Sequence, residues 1–449
     1  MKARLPIIGW VLFDWATQPF FTLVTTFVYA PYFAAAVAAD PVEGQALWGY
    51  AKAAAGLLIA VASPVLGAIA DASGQRKPWI ATFGVLLVLG CVGLWFGRPG
   101  EGVLIVLVAF GLASIGAEFA TVFNNAMMPT LVPRERLGRL SGTGWAVGYI
   151  GGMVSLVLVL GFLAANPQTG KTLLGMAPAF GLDAATRAGD RITGPLSALW
   201  FCVFVLPLFL FTPDVPSRLP LRDAVGSGLH LLRETLRGLP RHRDMTLFLI
   251  VNMIAADGLI ALFAFGGIYA AGTFGWSTIE IGLFGILLTI TGTVGAYIGG
   301  RLDDRIGPKP VILASLLALT LADVAILLIN PDYVPLIGTV TPPSPDDGLF
   351  ATTAERAFLA IGLVIGLAAG PVQAASRTFL VRLAPHDRIT QFFGLFALTG
   401  KVTSFLGPFL VGVVTAAFMS QKAGMAVLIG FFLVAAMLLT RVRVVRYGP

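Results

Sequence analysis

The sequence predicts an all-α polytopic membrane protein, with twelve transmembrane helices in two pseudo-symmetric six-helix bundles. Three observations support this fold class. Of the 449 residues, 57% are hydrophobic and only 12% are charged, whereas about 25% of the residues of a soluble domain are charged. Long apolar stretches recur along the chain, and one loop motif occurs twice. This composition excludes a disordered chain and a soluble enzyme.

Twelve apolar stretches reach the roughly 20 residues that a helix needs to cross the hydrocarbon core. We number them spans 1 to 12. Their predicted limits are 7–36, 46–70, 77–97, 102–131, 138–164, 194–213, 244–272, 278–302, 309–330, 354–382, 388–417 and 423–441.

The basic residues are distributed unequally between alternate loops. With the N-terminus inside, most of the 30 Lys and Arg residues fall in segments that would be cytoplasmic, as the positive-inside rule requires. We therefore expect both termini to be cytoplasmic and the first span to be uncleaved, in the plasma membrane (the inner membrane of a bacterium). The basic excess then reflects topology and contact with anionic lipids, and no nucleic-acid partner is expected.

A long connection, 214–243, divides the chain into an N-terminal bundle, 1–213, and a C-terminal bundle, 244–449. Apolar residues recur in this linker at spacings of three and four, which predicts one face of a helix. We expect this amphipathic helix to lie on the membrane surface as a tether. Its apolar face would consist of Leu221, Val225, Leu229, Leu232, Leu236 and Leu239.

The strongest internal repeat is a loop motif. Gly67, Asp71, Gly74 and Arg76 between spans 2 and 3 match Gly300, Asp304, Gly307 and Lys309 between spans 8 and 9, displaced by 233 residues. A second correspondence links Pro133 and Arg136 to Pro385 and Arg388, displaced by 252 residues. Parallel repeats of six helices are typical of secondary transporters.

These segments carry a family resemblance. GAIADASGQRK, at 67–77, resembles the loop motif of the major facilitator superfamily, and GRLDDRIGPK, at 300–309, is a weaker copy. The chain is similar in particular to the vacuolar amino-acid effluxer-like branch, known from autophagy-related proteins and bacterial relatives. The segments that carry this likeness are 13–20, 63–79, 123–152 and 370–401. The resemblance implies the major facilitator fold and amino-acid substrates.

The chemistry of the loop motif indicates a gate. Gly67 and Gly300 would permit close helix approach, and Gly74 and Gly307 would suit tight turns. Asp71 could pair with Arg76 or Lys77 and accept hydrogen bonds from the N-terminus of a neighbouring helix. The resemblance implies that this neighbour is span 11 and that the contact latches the outward-facing state.

An ionisable residue inside a span needs a partner or a wet cavity, and seven such candidates stand out. They are Asp14, Lys52, Glu118, Asp257, Asp323, Arg377 and Lys401. Glu118, Asp257 and Lys401 would lie about 20 Å from the cytoplasmic helix ends, near the midplane. We expect Asp323 to be structural and Lys52 to snorkel; no family function is carried over to Lys52.

Polar residues form stripes on three spans that the resemblance places around a central cavity. The stripe on span 1 contains Asp14, Gln18, Thr22, Thr25 and Tyr29, that on span 4 contains Ser114, Glu118, Thr121 and Asn125, and span 10 contributes Gln373 and Arg377. The predicted substrate or proton site comprises Asp14, Trp15, Gln18, Glu118, Asn124, Asn125, Trp145, Tyr149, Asn252, Asp257, Gln373, Arg377 and Lys401. Trp15, Trp145 and Tyr149 suit cavity lining and packing equally. Glu118 and Asp14 are the first candidates to carry protons.

The predicted function is secondary active transport of a small polar or zwitterionic, amino-acid-like solute by alternating access, coupled to protons. Export of drugs, siderophores or another metabolite on the same fold remains open, as does a non-transporting assembly factor or receptor. No nucleotide-binding loop or hydrolase motif occurs, so we expect no enzyme activity and no cofactor. His230, His242 and His386 lie in loops, which disfavours a metal site. The expected partners are the substrate, protons and lipids, and the expected state is a monomer.

Overall fold

A computed structural model of the chain describes residues 4–39, 41–166, 169–238, 242–276, 278–343 and 348–443. Helices dominate the described residues, and the fold is all-α. Besides the helices, a short antiparallel hairpin pairs Tyr333–Val334 with Gly338–Thr339. The predicted linker residue Leu239 lies outside the described residues.

The first sequence half begins with a helix whose geometry changes along its length. Leu5–Pro19 (α1) is followed by π-helical turns at Phe20–Phe27 and Phe33–Val37, with Tyr29–Tyr32 (α2) between them. The Thr25 and Thr26 hydroxyls both donate to the carbonyl of Phe21, and such bonds compete with the helical ladder. The helices that follow are α3 (Pro41–Ser73), α4 (Lys77–Gly93), α5 (Val103–Leu131), α6 (Leu137–Leu158), α7 (Ala188–Arg191), α8 (Thr193–Phe211) and α9 (Leu221–Gly238).

The second half contains seven α-helices among its described residues, besides the 3₁₀-helix His386–Arg388. They are α10 (Arg243–Phe274), α11 (Thr278–Ile306), α12 (Pro308–Leu328), α13 (Thr353–Leu383), α14 (Ile389–Thr399), α15 (Leu406–Phe418) and α16 (Gln421–Thr440). The N-terminus of α13 carries a capping box, in which the Thr352 hydroxyl and the Glu355 carboxylate satisfy each other's backbone N–H groups. This arrangement fixes where the helix begins.

Eleven helices within the described residues are long and apolar enough to cross a membrane, and Leu406–Phe418 is a shorter apolar helix. The difference from the prediction concerns span 11. Instead of one helix over 388–417, the chain forms α14 and α15, separated by the non-helical segment 400–405. Pro408 cannot donate to the carbonyl of Ser404, and its ring would clash with that carbonyl in a continuous helix. Gly400 is a poor helix former as well.

The chain folds into two compact units that do not coincide with the two halves of the sequence. Unit 1 comprises the described residues within Met1–Leu131, Val147–Leu232 and Asp387–Ala397, and unit 2 those within Val132–Ala146, Arg233–His386 and Leu398–Pro449. Unit 1 therefore includes most of α14, from the second sequence half. Unit 2 includes the beginning of α6, from the first.

Each unit has an aromatic core. In unit 1, the buried rings of Tyr29 and Tyr32 pack edge to face, and their hydroxyls donate to the carbonyls of Leu94 and Gly97. Tyr29, predicted as part of a polar stripe, is thus a packing residue with its hydroxyl satisfied. In unit 2, the ring of Phe358 packs against Trp276 and Phe284.

Candidate functional site

The first loop motif joins α3 to α4, and its Asp71 and Arg76 side chains are buried. Asp71 is 2% exposed and Arg76 is 5% exposed. Arg76 Nη2 donates to Asp71 Oδ1 over 2.6 Å, and Nη1 donates to the carbonyls of Ala70 and Gly74. Burial lowers the pKa of the Arg76 guanidinium from its ordinary value, while the Asp71 carboxylate opposes that shift. Gly74, with a φ of +93°, makes the turn that folds Arg76 back onto Asp71.

Asp71 also caps the N-terminus of α14. Its Oδ1 accepts from the backbone N–H of Thr390 at 3.1 Å, and its Oδ2 accepts from that of Gln391 at 2.8 Å. First-turn N–H groups have no partner within their own helix, and the helix dipole favours an anion there. A Cβ at Gly67 would lie 2.6 Å from the carbonyl oxygen of Thr390, so this approach requires glycine. Asp71 thus has the two contacts that the sequence predicts, with Arg76 as its cation.

The second loop motif makes the corresponding contact in unit 2. Asp304 Oδ1 accepts from the backbone N–H of Arg139 at 3.1 Å, in the first turn of α6, and the N–H of Gly138 is a further donor to this carboxylate. A Cβ at Gly300 would lie against the carbonyl oxygen of Gly138, as one at Gly67 would against Thr390. The capped pairs, 138–139 and 390–391, are 252 residues apart, the displacement found in the sequence repeat.

The two motifs differ in the basic residue that pairs with the motif aspartate. Lys309 does not pair with Asp304; its Nζ donates to the carbonyls of Thr440 and Val442. Arg139 instead places Nε 3.5 Å from the Asp304 carboxylate, and its side chain is largely exposed. Gly307, with a φ of +89°, makes the turn. In unit 1, Lys77 Nζ donates to the carbonyl of Phe209.

An ion pair between Asp303 and Arg382, beside Asp304, was not predicted. Asp303 is fully buried; Arg382 Nη2 donates to its Oδ1 at 3.2 Å, and the Thr378 hydroxyl donates to its Oδ2. Asp303 and Asp304 are consecutive on α11, so their side chains point in different directions and reach different partners. The sequence signal for an additional charge at this position was the doublet of Asp303 and Asp304, because the first motif has Ala70 at the position that corresponds to Asp303.

The linker is attached to the first loop motif. Asp214 Oδ1 and Oδ2 accept from the backbone N–H groups of Arg76 and Lys77, each at 2.9 Å, and cap α4. The backbone N–H of Arg218 donates to the carbonyl of Ser73. Further on, a Cβ at Gly228 of α9 would lie 2.8 Å from Cα of Ile69 on α3. Asp214 lies 138 residues from Arg76, so no local pattern indicates this cap.

Several predicted site residues of unit 1 lie where α1 meets α6. Asp14 and Gln18 are half-buried, and a Cβ at Gly148 would lie 3.3 Å from Cβ of Asp14 and 3.5 Å from Oε1 of Gln18. Tyr149, next to Gly148, is half-buried as well. The structure therefore brings Asp14 and Gln18 together on the glycine face of α6.

Other predicted residues of unit 1 are surrounded by packing contacts. Trp15 stacks on Trp200 with ring centroids 5.6 Å apart, and Trp200 Nε1 donates to the carbonyl of Trp15. On α5, Glu118 is half-buried, while Asn124 and Asn125 are buried. The backbone carbonyl of Asn124 accepts from Trp10 Nε1 at 2.7 Å.

In unit 2, the buried Arg377 of α13 binds the beginning of α6. Its Nε donates to Ser141 Oγ at 3.0 Å, and its Nη2 donates to the carbonyl of Ser141 at 2.8 Å. The guanidinium carbon lies 5.3 Å from the ring centroid of Trp145, within the range of a cation–π interaction. Arg377 and Trp145 are thus brought together. Gln373, one turn before, is half-buried and donates to the carbonyl of Ala369.

A second group of predicted residues in unit 2 lies along α10. Asn252 Nδ2 donates to Thr399 Oγ1 at 3.2 Å, at the end of α14. Asp257 is 1% exposed, and Lys401 is half-buried within the non-helical segment 400–405. We expected Asp323 to be structural and Lys52 to snorkel; in the structure Asp323 is buried and Lys52 is exposed.

Comparisons with known proteins point to one family. The family description "Vacuole effluxer Atg22 like" matches residues 36–447. The chain is 25% identical over 417 residues to the "Uncharacterized MFS-type transporter YxiO" of Bacillus subtilis, covering 90% of this chain and 87% of that protein. It is also 25% identical over 290 residues to "Autophagy-related protein 22-2" of Aspergillus clavatus. That match covers 62% of this chain and 43% of the fungal protein, so the chain spans less than half of its length.

Solved structures with the same fold are transporters of the major facilitator superfamily. The fucose transporter FucP in the outward conformation has a TM-score of 0.71 at 14% identity, with 98% of each chain covered. The proton:xylose symporter XylE, bound to a bromodeoxyglucose, has a TM-score of 0.69 at 13% identity, covering 98% of this chain and 95% of that chain. At these identities the likeness concerns the fold alone.

Proposed function

The chain belongs to the Atg22-like vacuole effluxer family of major facilitator transporters, and from this premise we propose a specific transport function. It moves a small polar or zwitterionic, amino-acid-like solute by alternating access, coupled to protons. It is a membrane protein with many spans and a transporter rather than an enzyme. We assign it to the plasma membrane as a monomer with both termini in the cytoplasm.

The observation that carries alternating access is the pair of helix caps. In each cap, a carboxylate from a loop of one sequence half accepts hydrogen bonds from the first turn of a helix of the other half: Asp71 on α14, and Asp304 on α6. Hydrogen bonds to a charged group contribute about 1.5–3 kcal/mol each. Because water can replace these polar partners when the contact opens, such a latch is reversible, as a carrier requires.

Charge in the helices supports a zwitterionic solute. Arg377 is a buried cation that donates to Ser141 and lies over the ring of Trp145, while Asp257 is a buried carboxylate on α10. A solute with both an ammonium and a carboxylate group complements such a pair of charges. Asp14, on the glycine face of α6, and Glu118 are the proposed proton carriers.

A flux assay tests the proposed function. The purified protein is reconstituted into liposomes with an imposed pH gradient, and uptake is measured for a panel of amino acids, short peptides, sugars and cationic drugs. We expect saturable uptake of amino acids that collapses with a protonophore. Uptake of drugs alone would identify an exporter of another class, and no flux of any solute by folded protein would contradict the carrier proposal.

Cysteine labelling in intact cells tests the proposed topology. Gln75 is an exposed residue of the first loop motif. A cysteine at this position should react with an impermeant maleimide only from the cytoplasmic side. Labelling from the outside of intact cells would reverse the assignment.

A further inference from the structure

We propose that the loop between α6 and α7 is a lipid-binding surface, whose apolar side chains insert at the boundary between the headgroups and the acyl chains of one bilayer leaflet. We call residues 164–166 and 169–187 the α6–α7 loop. The proposed topology puts this loop on the outer side of the membrane. The inference goes beyond the proposed transport function, and it depends only on the chain crossing a bilayer.

A charge-free, apolar segment forms the middle of the α6–α7 loop. Residues 172–182 contain no charged side chain, although Lys171 precedes them and Asp183 follows. The large apolar side chains that this segment exposes are Leu173, Leu174, Met176 and Phe180. Loops that run through water are usually rich in polar residues and glycine, and large exposed apolar patches mark surfaces that contact a protein or a membrane. The segment therefore has the composition of a surface that an apolar partner covers.

Two leucines form the tip of a tight turn in this segment. The backbone N–H of Gly175 donates to the carbonyl of Thr172 at 2.8 Å, and the N–H of Thr172 donates to the carbonyl of Met176 at 2.8 Å. Leu173 and Leu174 occupy the centre of the turn, and their side chains are 78% and 59% exposed. Turns in water favour Gly, Pro, Asn, Asp and Ser at these positions. Two exposed leucines there suit apolar surroundings.

Phe180 gives little to the fold of the loop itself. Its φ is +58°, a conformation that is unusual for any residue with a bulky side chain. Its ring is 92% exposed, so packing within the chain does not offset the strained backbone. Apolar surface is stabilised when it leaves water. A phenylalanine at this position is therefore explained by an apolar environment outside the chain.

The turn lies at the depth of the last turn of span 5. The backbone N–H of Leu173 donates to the carbonyl of Leu160 at 3.0 Å, and carbonyls at the end of a helix lack partners within that helix. Leu160 lies three residues before Leu163, where the span ends, so it is about 4.5 Å inside that end. Residues 179–181 contact the same helical turn, Val159–Leu163. Both apolar parts of the loop therefore lie at the membrane boundary.

The loop continues an apolar surface of span 5. Exposed aliphatic side chains recur on one face of α6 at spacings of four and three, namely Ile150, Val154 and Val157. Val157, nine residues after Gly148, points to the side of α6 opposite the glycine face. The next position of this row is Gly161, where an added Cβ would lie 3.4 Å from the side chain of Leu174. Because the row is apolar and turned away from Asp14 and Gln18, it faces lipid, and Leu174 extends it.

The polar end of the loop is fixed to the protein. Arg187 Nε donates to Asp190 Oδ2 at 2.6 Å, and the Arg187 guanidinium carbon lies 5.3 Å from the ring centroid of Tyr32. A Cβ at Gly189 would lie against the carbonyl oxygen of Leu163. The charged end therefore packs at the end of the span, while the charge-free middle is left exposed. A loop that is already held in place loses little freedom when it binds.

Spin labels in liposomes test the proposal. Leu174→Cys and Phe180→Cys are made singly in a chain that carries Cys91→Ala and Cys202→Ser, and each is labelled with a nitroxide. Power saturation then compares collisions with oxygen, which concentrates in the bilayer, and with a water-soluble nickel chelate. We expect both labels to resemble one at the lipid-facing Val157, with frequent oxygen and rare nickel collisions. A label at Ala185, an exposed residue of the same loop beyond the charge-free segment, should show the reverse.

A second measurement separates lipid from protein as the covering partner. A bimane fluorophore at Leu174→Cys or Phe180→Cys should be quenched by lipids brominated on their acyl chains, more strongly when the bromines lie near the headgroup than near the chain end. Nickel collisions as frequent as at Ala185 would place the segment in water and overturn the proposal. Protection from nickel without quenching by brominated lipid would indicate a covering protein, such as a second copy of the chain, and would overturn it as well. Because no solute is present, either failure is distinct from a failure of solute flux.

Discussion

Asp71 and Thr390, 319 residues apart in the sequence, are joined by a hydrogen bond from the backbone N–H of Thr390 to the carboxylate of Asp71. Asp304 and Arg139, 165 residues apart, make the same kind of bond. Each bond pairs the last part of a helix before a loop motif with the first turn of a distant helix. The repeat that is visible in the sequence is therefore a repeat of tertiary contacts.

Neutralising Asp71 tests the first cap. Asp71→Asn removes the charge that pairs with Arg76 and replaces one acceptor oxygen by a donor, so the cap on α14 is weakened. We expect solute flux in proteoliposomes to fall about tenfold or more, which corresponds to about 1.4 kcal/mol. Distances between spin labels should show a redistribution of conformers. The matched control is Lys52→Gln; unchanged flux and conformer populations in Asp71→Asn would refute the latch.

Adding a methyl group at Gly67 tests the same contact without changing charge. A Cβ there would lie 2.6 Å from the carbonyl oxygen of Thr390, whereas nothing lies within 4 Å of a Cβ at Gly56 on the same helix. We expect Gly67→Ala to reduce flux severalfold and to speed amide exchange in the first turn of α14. Gly56→Ala should do neither. If the two alanine variants behaved alike, close approach at Gly67 would not matter.

The loop motif predicted that Asp71 accepts hydrogen bonds from the N-terminus of a neighbouring helix, and the family resemblance identified that helix as span 11; the cap from Asp304 was not predicted. Gly67, Asp71 and Gly74 interact through a tight local turn, and the repetition of their spacing at Gly300 made the pattern recognisable. The position of most helices likewise follows from apolar length alone. Both kinds of inference depend on residues that are near one another in the chain.

Contacts between distant segments were not predictable in this way. Asp303 pairs with Arg382, 79 residues away, and Asp214 caps α4 from 138 residues away. The break at 400–405 was missed for a different reason. The apolar residues that surround Lys401 and Thr403 favour a single span on average, although Gly400 and Pro408 disfavour a continuous helix.

The ion pair of the buried Asp303 with Arg382 should contribute to stability more than Asp304 does. Asp303→Asn removes the charge of a fully buried carboxylate from the partly buried Arg382 cation, and leaving such a hydrogen-bonded partner unsatisfied costs about 1–3 kcal/mol. Asp304→Asn keeps one oxygen that can accept from the first turn of α6, and the charge it removes faces Arg139, whose side chain is largely exposed, so its effect on unfolding should be about 1 kcal/mol. The measurement is the unfolding temperature of both variants in the same detergent. A larger loss for Asp304→Asn would contradict this ranking.

The cap from Asp214 predicts that the linker stabilises the first loop motif. Asp214→Ala removes the acceptor of the Arg76 and Lys77 N–H groups, and loss of a cap costs about 1 kcal/mol. Amide exchange at Arg76 and Lys77 should therefore accelerate about fivefold. Asp214→Asn, which keeps a capping oxygen, is the matched control and should show a smaller change. Equal protection in all three proteins would mean that the linker is only a tether.

Neutralising Asp14 or Glu118 tests whether these carboxylates couple transport to protons. If these carboxylates carry the protons, Glu118→Gln and Asp14→Asn cannot exchange them, because an amide does not titrate. Uptake against a solute gradient should then no longer respond to an imposed pH gradient, while exchange of solute across the membrane at equal pH continues at a measurable rate. Asp323→Asn, which neutralises a buried carboxylate on α12, should keep the response to pH. Uptake that remains equally pH-dependent in both Glu118→Gln and Asp14→Asn would exclude these residues as carriers and leave Asp257 as the principal candidate.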